Sequence, residues 1–236
     1  MKIGIMQPYF FPYLGYFSLI KNTDRFILFD TVQFIRHSWI ERNRIINPNG
    51  DWQYIKVPLI KFSQNTKIKD IQINNKIEWK DKILAQLQHY KKKAPNYKIV
   101  IGLLKEIFSA DYFDIVSLDL NSLMKIIDYL GIDTSIEVFS SMGLKIEEAN
   151  APDEWALNIC KALENVVEYW NPPGGAAFFD RAKYKNAGID LKFHSIRLNE
   201  YFQGQSSFIP GLSIIDVMMY NSVNDINEML DNYEFV

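Results

Sequence analysis

The first seventeen residues, MKIGIMQPYFFPYLGYF, leave the chain few ways to fold. Ile3–Met6 is a short apolar run, the pattern of a buried strand. Pro8 and Pro12 follow, and neither can donate to a sheet ladder or sit inside a helix. Gly15 then opens a helix that ends near Lys21-Asn22. A strand, a rigid loop and a Gly-led helix is how open α/β sheets build a ligand site at their strand ends. Within that loop Gln7, Tyr9, Tyr13 and Tyr16 are polar handles among aromatic rings, suited to stacking on a base or sugar while hydrogen-bonding its edge. The alternative is that the rings merely cover the sheet edge.

The rest of the chain supports an α/β class. Strands are predicted at Lys2–Met6, Arg25–Asp30, Gln53–Pro58, Ser135–Ser140, Val166–Trp170 and Asp190–Ile196. Helices are predicted at Gly15–Lys21, Ile77–Lys93, Tyr97–Phe108, Tyr112–Gly131, Ala151–Leu163, Ser213–Tyr220 and Val223–Asn232. Their alternation argues a mainly parallel open sheet with flanking helices. The nearly all-helical stretch 77–131 reads as an insertion packed on that sheet, within a single domain spanning 1–236. Gly131 is the expected stop of its last helix, and Asp111 the expected N-cap.

Composition narrows the function classes. A formal net charge of −2 provides no global field to recruit DNA or an anionic membrane. The one cysteine, Cys160, lies in an apolar helical stretch and forbids an intrachain disulfide or a cysteine metal site. No apolar run approaches the roughly 20 residues of a membrane span, and no signal peptide opens the chain, so a cytoplasmic protein is expected. No dinucleotide fingerprint, Walker loop, nucleophile elbow or metal-ligand spacing occurs, so no metal site is expected.

Three further clusters carry chemistry. In the first, Asp30 ends a strand, Gln33 follows, and His37, Trp39, Arg42, Asn43 and Arg44 crowd the next residues. Histidine is the side-chain type suited to acid–base work near neutral pH, which makes His37 a candidate, with Asp30 as a second. Arg42 and Arg44 suit bidentate contact with phosphate or carboxylate, although they also fit a solvated ion-paired loop. In the second, Gly174-Gly175 breaks a strand end into a loop whose backbone N–H groups approach an anion closely, or simply form a tight turn. In the third, a polar loop brings Tyr201, Gln203 and Ser207 ahead of Ser213, an expected N-cap. That loop fits a lid over the crevice or a plain surface loop.

These segments together resemble the WbqC-like family: IMQPYFFPYLGYF at Ile5–Phe17, FDTVQF at Phe29–Phe34, WIERNRI at Trp39–Ile45, VPL at Val57–Leu59, and the stretch Tyr201–Asp216. The resemblance implies a setting in bacterial surface polysaccharide such as O-antigen, and transfer of an amino acid, glycine in particular, to a sugar amine. One departure is Phe178-Phe179-Asp180, where the family tends to carry Leu-Tyr-Asp, which weakens any role for a hydroxyl at position 179. A second likeness is to nucleotidylyltransferase-type folds, including pantothenate synthetase. Their H-x-G-H turn would correspond to Tyr13-Leu14-Gly15-Tyr16, keeping the glycine and replacing both histidines with tyrosine.

The expected function is therefore an acyl or aminoacyl transferase, or an amide-forming enzyme, acting on an amino-sugar or nucleotide sugar. Asp30 or His37 would deprotonate the amine, Arg42 and Arg44 would hold a carboxylate or phosphate, and Tyr9 and Tyr13 would stack on the base or sugar. ATP and an activated acyl donor are both open as the source of the acyl group, and so is a charged tRNA. The alternative is a non-catalytic protein of the same pathway that binds a nucleotide sugar or a partner.

Overall fold

The computed structural model describes all residues from Met1 to Val236. The chain runs β1 (Lys2–Met6), α1 (Leu14–Lys21), β2 (Arg25–Leu28), β3 (Arg42–Ile46), β4 (Trp52–Lys56), α2 (Trp79–Gln86), α3 (Tyr97–Ser109) and α4 (Ile115–Leu130). It continues β5 (Ser135–Val138), α5 (Glu154–Ala162), β6 (Glu168–Asn171), α6 (Arg181–Asn186), β7 (Asp190–Ile196), α7 (Ile214–Tyr220), α8 (Val223–Asp231) and β8 (Tyr233–Phe235). Six strands form one sheet in the order β5-β2-β1-β6-β7-β8, parallel except for the β7–β8 edge. The mainly parallel open sheet with flanking helices is thus the observed fold.

Alternating side chains explain why both faces are covered. Ile3, Ile5, Ile27 and Phe29 face a smaller cluster with Ile159 and Cys160 of α5 and Tyr184 of α6. Phe26 and Leu28 face a larger core shared with α1, α4 and α7. Strands buried on both faces read as continuous apolar runs, which is how β1 announces itself. Gly4 is the exception within that run: a Cβ there would press on the Phe26 ring and Leu19, so its absence lets α1 lie close on the sheet. Burial pushes the Cys160 thiol up to about 12, consistent with a thiol that packs rather than reacts.

The segment 77–131 is helical as expected, with the predicted helix Ile77–Lys93 split at Leu87 into α2 and a tight 3-10 turn, Gln88–Lys92. Tyr90 in that turn is drawn inward: its hydroxyl accepts from the Ile46 amide at 3.0 Å and donates to Asp216 at 2.6 Å. The N-cap of α4 is Asp114, not Asp111; its carboxylate accepts from the Ser117 amide at 2.8 Å and from the Ser117 hydroxyl at 2.7 Å. Gly131 closes that helix at φ +69, and Ser213 caps α7, as expected. The predicted strand Gln53–Pro58 lies outside the main sheet. As β4 it pairs antiparallel with β3, a strand not expected in the arginine-rich cluster. The cue was present, since Asn47-Pro48-Asn49-Gly50 is a turn signal between two alternating segments.

Asp216 is buried between two phenols, accepting from Tyr90 and from Tyr201 at 2.7 Å. Burial raises its pKa from 3.8 to about 6, against the opposing pull of the phenol hydrogen bonds. The folded state therefore holds this proton more tightly than the unfolded chain. Its stabilising contribution is complete below the unfolded value and is lost as pH rises through about 6. Asp216→Asn removes that dependence. The difference in unfolding free energy between variant and wild type should shift in favour of the variant by about 2 kcal/mol between pH ~4 and pH ~7.5. Urea melts of both proteins at the two pH values measure it.

Candidate functional site

The strand order reverses between β1 and β6: α1 leads from β1 outward to β2, and α6 leads from β6 outward to β7. Open α/β sheets bind ligands at such a switch point, beyond the carboxyl ends of the strands. A cavity of about 720 Å³ lies there. The β1 end contributes Met6, Gln7 and Tyr9; the β2 end contributes Phe29 and Val32. The segment entering α5 adds Asn150, Pro152 and Trp155, and the β6 end adds Asn171, Gly174, Gly175, Phe178 and Phe179. No charged side chain lines this cleft. Its walls are aromatic, with Trp155 5.5 Å from Phe29 and Phe178 4.9 Å from Phe179 between ring centroids, and its polar groups are amides and phenols.

Tyr9 borders this cleft and also a smaller cavity of about 300 Å³ lined by Tyr13, Trp39, Asn43, Arg44 and Gly211. Its ring stacks on Tyr16 at 5.2 Å and 11°. Burial raises the Tyr9 phenol, so it stays protonated and able to donate. Arg44 sits with its guanidinium 5.5 Å from the Trp39 ring and 5.4 Å from the Trp52 ring, donating to the Gly211 carbonyl at 3.3 Å. Two indole faces hold this cation in place at the wall of the smaller cavity.

The expected site residues therefore separate. Gln7, Tyr9, Gly174 and Gly175 meet at the cleft, and Tyr13, Trp39, Asn43 and Arg44 at the adjoining cavity. Tyr16, expected to touch ligand, is only 2% exposed and donates its hydroxyl to the Gln7 carbonyl at 2.9 Å. Asn43 is equally buried: its amide donates to the Phe10 carbonyl at 3.1 Å and the Phe11 carbonyl at 2.8 Å. Asp30, expected as a base, has its carboxylate taken up by the Ser140 amide at 3.0 Å and the Ser140 hydroxyl at 2.5 Å, tying β2 to β5.

His37 lies apart from both cavities. It occupies an exposed turn at φ +59, its amide donating to Glu41 at 2.6 Å, and it borders a different depression with Arg36 and Lys56. Arg42 stacks on Tyr54 at 4.2 Å and donates to the His37 carbonyl, closing that turn. Gln33 is exposed and donates to the Gln64 carbonyl. In the loop before α7, the Tyr201 hydroxyl is bound to Asp216 and the Gln203 amide pairs with both backbone groups of Ile209. Gln203 and Ser207 border a further cavity with His89 and Lys92. The loop thus lies away from the switch-point cleft, with its side chains bound to α7 and to itself.

Two glycines explain the shape of the site. Tyr13 folds its ring over Gly15, so that a Cβ there would overlap the phenol; the start of α1 is covered rather than open to a phosphate. A Cβ on Gly175 would land on Asn171 Oδ1, and Asn171 is held by its hydrogen bond to the Tyr169 hydroxyl at 2.6 Å. A Cβ on Gly174 meets nothing within 4 Å. The pair is therefore a packing requirement at one position and a free one at the other. Gly175→Ala should destabilise the fold by about 1–3 kcal/mol and displace Asn171 in the cleft, whereas Gly174→Ala should leave both unchanged. Thermal melts and the amide shifts of Asn171 check this.

The sequence reading missed Asn150, Trp155, Asn171 and the Phe29 face. Asn171 and Phe178 stood beside the Gly-Gly pair in sequence, but Trp155 joins the site only through the β5-to-β6 crossover. No solved structure matches this chain. An uncharacterized protein of Mycobacterium tuberculosis is 27% identical over 220 residues, covering 92% of each chain. The model of the WbqC-like protein family matches residues 7–228, a span that holds the smaller cavity and all of the cleft but Ile5 and Met6, and the chain belongs to that family.

Proposed function

We propose that this protein binds a nucleotide-linked amino-sugar across Tyr9, as a component of bacterial surface polysaccharide assembly. The observation that carries this reading is the pairing of an uncharged aromatic cleft with a smaller cavity holding Arg44, both bordered by Tyr9. A planar heterocycle suits the first: Trp155, Phe178 and Phe179 offer faces, and Gln7, Asn150 and Asn171 offer amides to read its edge. A phosphate or sugar carboxylate suits the second, where Arg44 is held between two indoles and Tyr13 supplies a phenol. The polysaccharide setting rests on family resemblance.

A second reading, transfer of an acyl or aminoacyl group to the sugar amine, is favoured by the position of Arg44. A carboxylate or phosphate of an activated donor held there would lie beside the sugar end of the same ligand. In this reading neither His37 nor Asp30 takes the amine proton, since one is on a remote turn and the other is consumed by Ser140. The Tyr9 phenol at the junction of the two cavities, kept protonated by burial, can donate to the acyl carbonyl or the leaving group, and the proton shed by the amine passes to water.

Calorimetric titration with a uridine-diphosphate amino-sugar tests the binding. Trp155→Ala and Arg44→Lys should each weaken it about tenfold, the first by removing a stacking face and the second by replacing a planar cation with a point charge. Unchanged affinity in both variants overturns the assignment. Mass analysis of the sugar after incubation with an acyl donor separates the readings: an acylated product supports the second, and binding without one supports the first.

A further inference from the structure

A separate cavity of about 640 Å³ shares no residue with the switch-point cleft or the Arg44 cavity. It lies between the β3–β4 turn, the 3-10 turn bearing His89 and Lys92, and the loop 203–207. Apart from the Tyr220 phenol, every titratable side chain lining it is basic: His89, Lys92 and Lys93. The nearest carboxylate along the turn, Asp51, accepts from the Trp52 amide at 2.7 Å and is not part of the wall.

The walls are preset. Lys93 donates to the Gly204 carbonyl at 2.7 Å, and Gln203 locks the loop by pairing with Ile209 at 2.9 and 2.8 Å. Gly204 adopts φ +72, where an added Cβ would also press on the Tyr220 hydroxyl, so the loop approaches α7 as only glycine allows. Lys92 is exposed and engaged in no ion pair. One buried polar atom at this cavity, Gln205 Oε1, has no hydrogen-bond partner in the protein, although buried polar groups are ordinarily paired.

We propose that this cavity is a second binding site, for a small hydroxyl-bearing ligand that carries an oxyanion, phosphate or carboxylate. Lys92 supplies the free positive charge and Ser206 and Ser207 supply neutral donors. Gln205 Oε1 accepts from a ligand hydroxyl after a small side-chain movement. The site uses none of the residues of the nucleotide-sugar reading, so the two stand or fall separately.

Amide chemical-shift titrations of isotope-labelled protein with a glucose phosphate, inorganic phosphate, acetate and glucose test the proposal. Saturable shifts confined to Asn47–Gly50 and Gly204–Ser207 are expected with the sugar phosphate, and weaker ones with phosphate or acetate, whichever anion the site prefers. Lys92→Glu should weaken the sugar-phosphate response about tenfold or more, and Lys92→Gln by less. Lys105→Glu, on an exposed lysine of α3 outside the cavity, should leave it unchanged. Thermal melts establish that each variant is folded. An equal response to unphosphorylated glucose, an equal loss in Lys105→Glu, or no saturation at these amides with any anion overturns the proposal.

Discussion

The Asn43 side chain holds the N-terminal loop to the rest of the molecule. Its amide donates to two successive carbonyls, Phe10 and Phe11, while its own oxygen accepts from the Arg44 amide at 2.8 Å. Phe11 adopts φ +43, a left-handed conformation that costs a non-glycine residue energy, and the Ser213 hydroxyl adds a further bond to its carbonyl at 2.8 Å. The Ile214 amide reaches the Pro12 carbonyl at 2.8 Å, and the Phe10 amide the Trp39 carbonyl at 2.9 Å. A strained, proline-stiffened loop is thus pinned from β3, from α7 and from the turn before β3. Tyr9 is presented to both cavities because the residues immediately after it are tied down by these bonds.

This anchoring explains why the β3–β4 hairpin exists apart from the main sheet. It is a bracket: one end supplies Asn43 and Arg44 to the loop and the Arg44 cavity, and the other presents Ile46 to Tyr90 and so to the Asp216 pair. Aromatic faces along it, Trp39, Trp52 and Tyr54, hold the arginines by cation–π contact rather than by carboxylates. An arginine restrained in this way keeps its charge uncompensated, which suits it to an anionic ligand better than an ion-paired one.

The division of labour among polar residues follows from burial. Residues committed to holding the backbone, Asn43, Asp30, Tyr16, Gln203 and Tyr201, have their hydrogen-bonding capacity spent inside the protein. Those left open, Gln7, Tyr9 and Asn150, border cavities, as does Arg44, whose guanidinium spends one donor on the Gly211 carbonyl and pairs with no carboxylate. Chemical type alone does not separate the two sets, since amides and phenols occur in both.

Local chemistry was enough to read much of this. The apolar run at β1, the prolines after it, the turn residues and the caps at Gly131 and Ser213 act over a few residues, so strand, loop and helix were legible where they stand. The parallel class followed from their alternation, and the opening motif placed Gln7 and Tyr9 at a strand end beside a crevice. Tertiary structure alone decided which strand end sits beside which: the crossover from β5 to β6 brings Trp155 and Asn171 to Tyr9, across about 150 residues of chain, while His37 stands apart on the turn before β3. A side chain's type is a property of one position, but whether it is spent on the backbone or left for a ligand depends on partners that only the folded chain supplies.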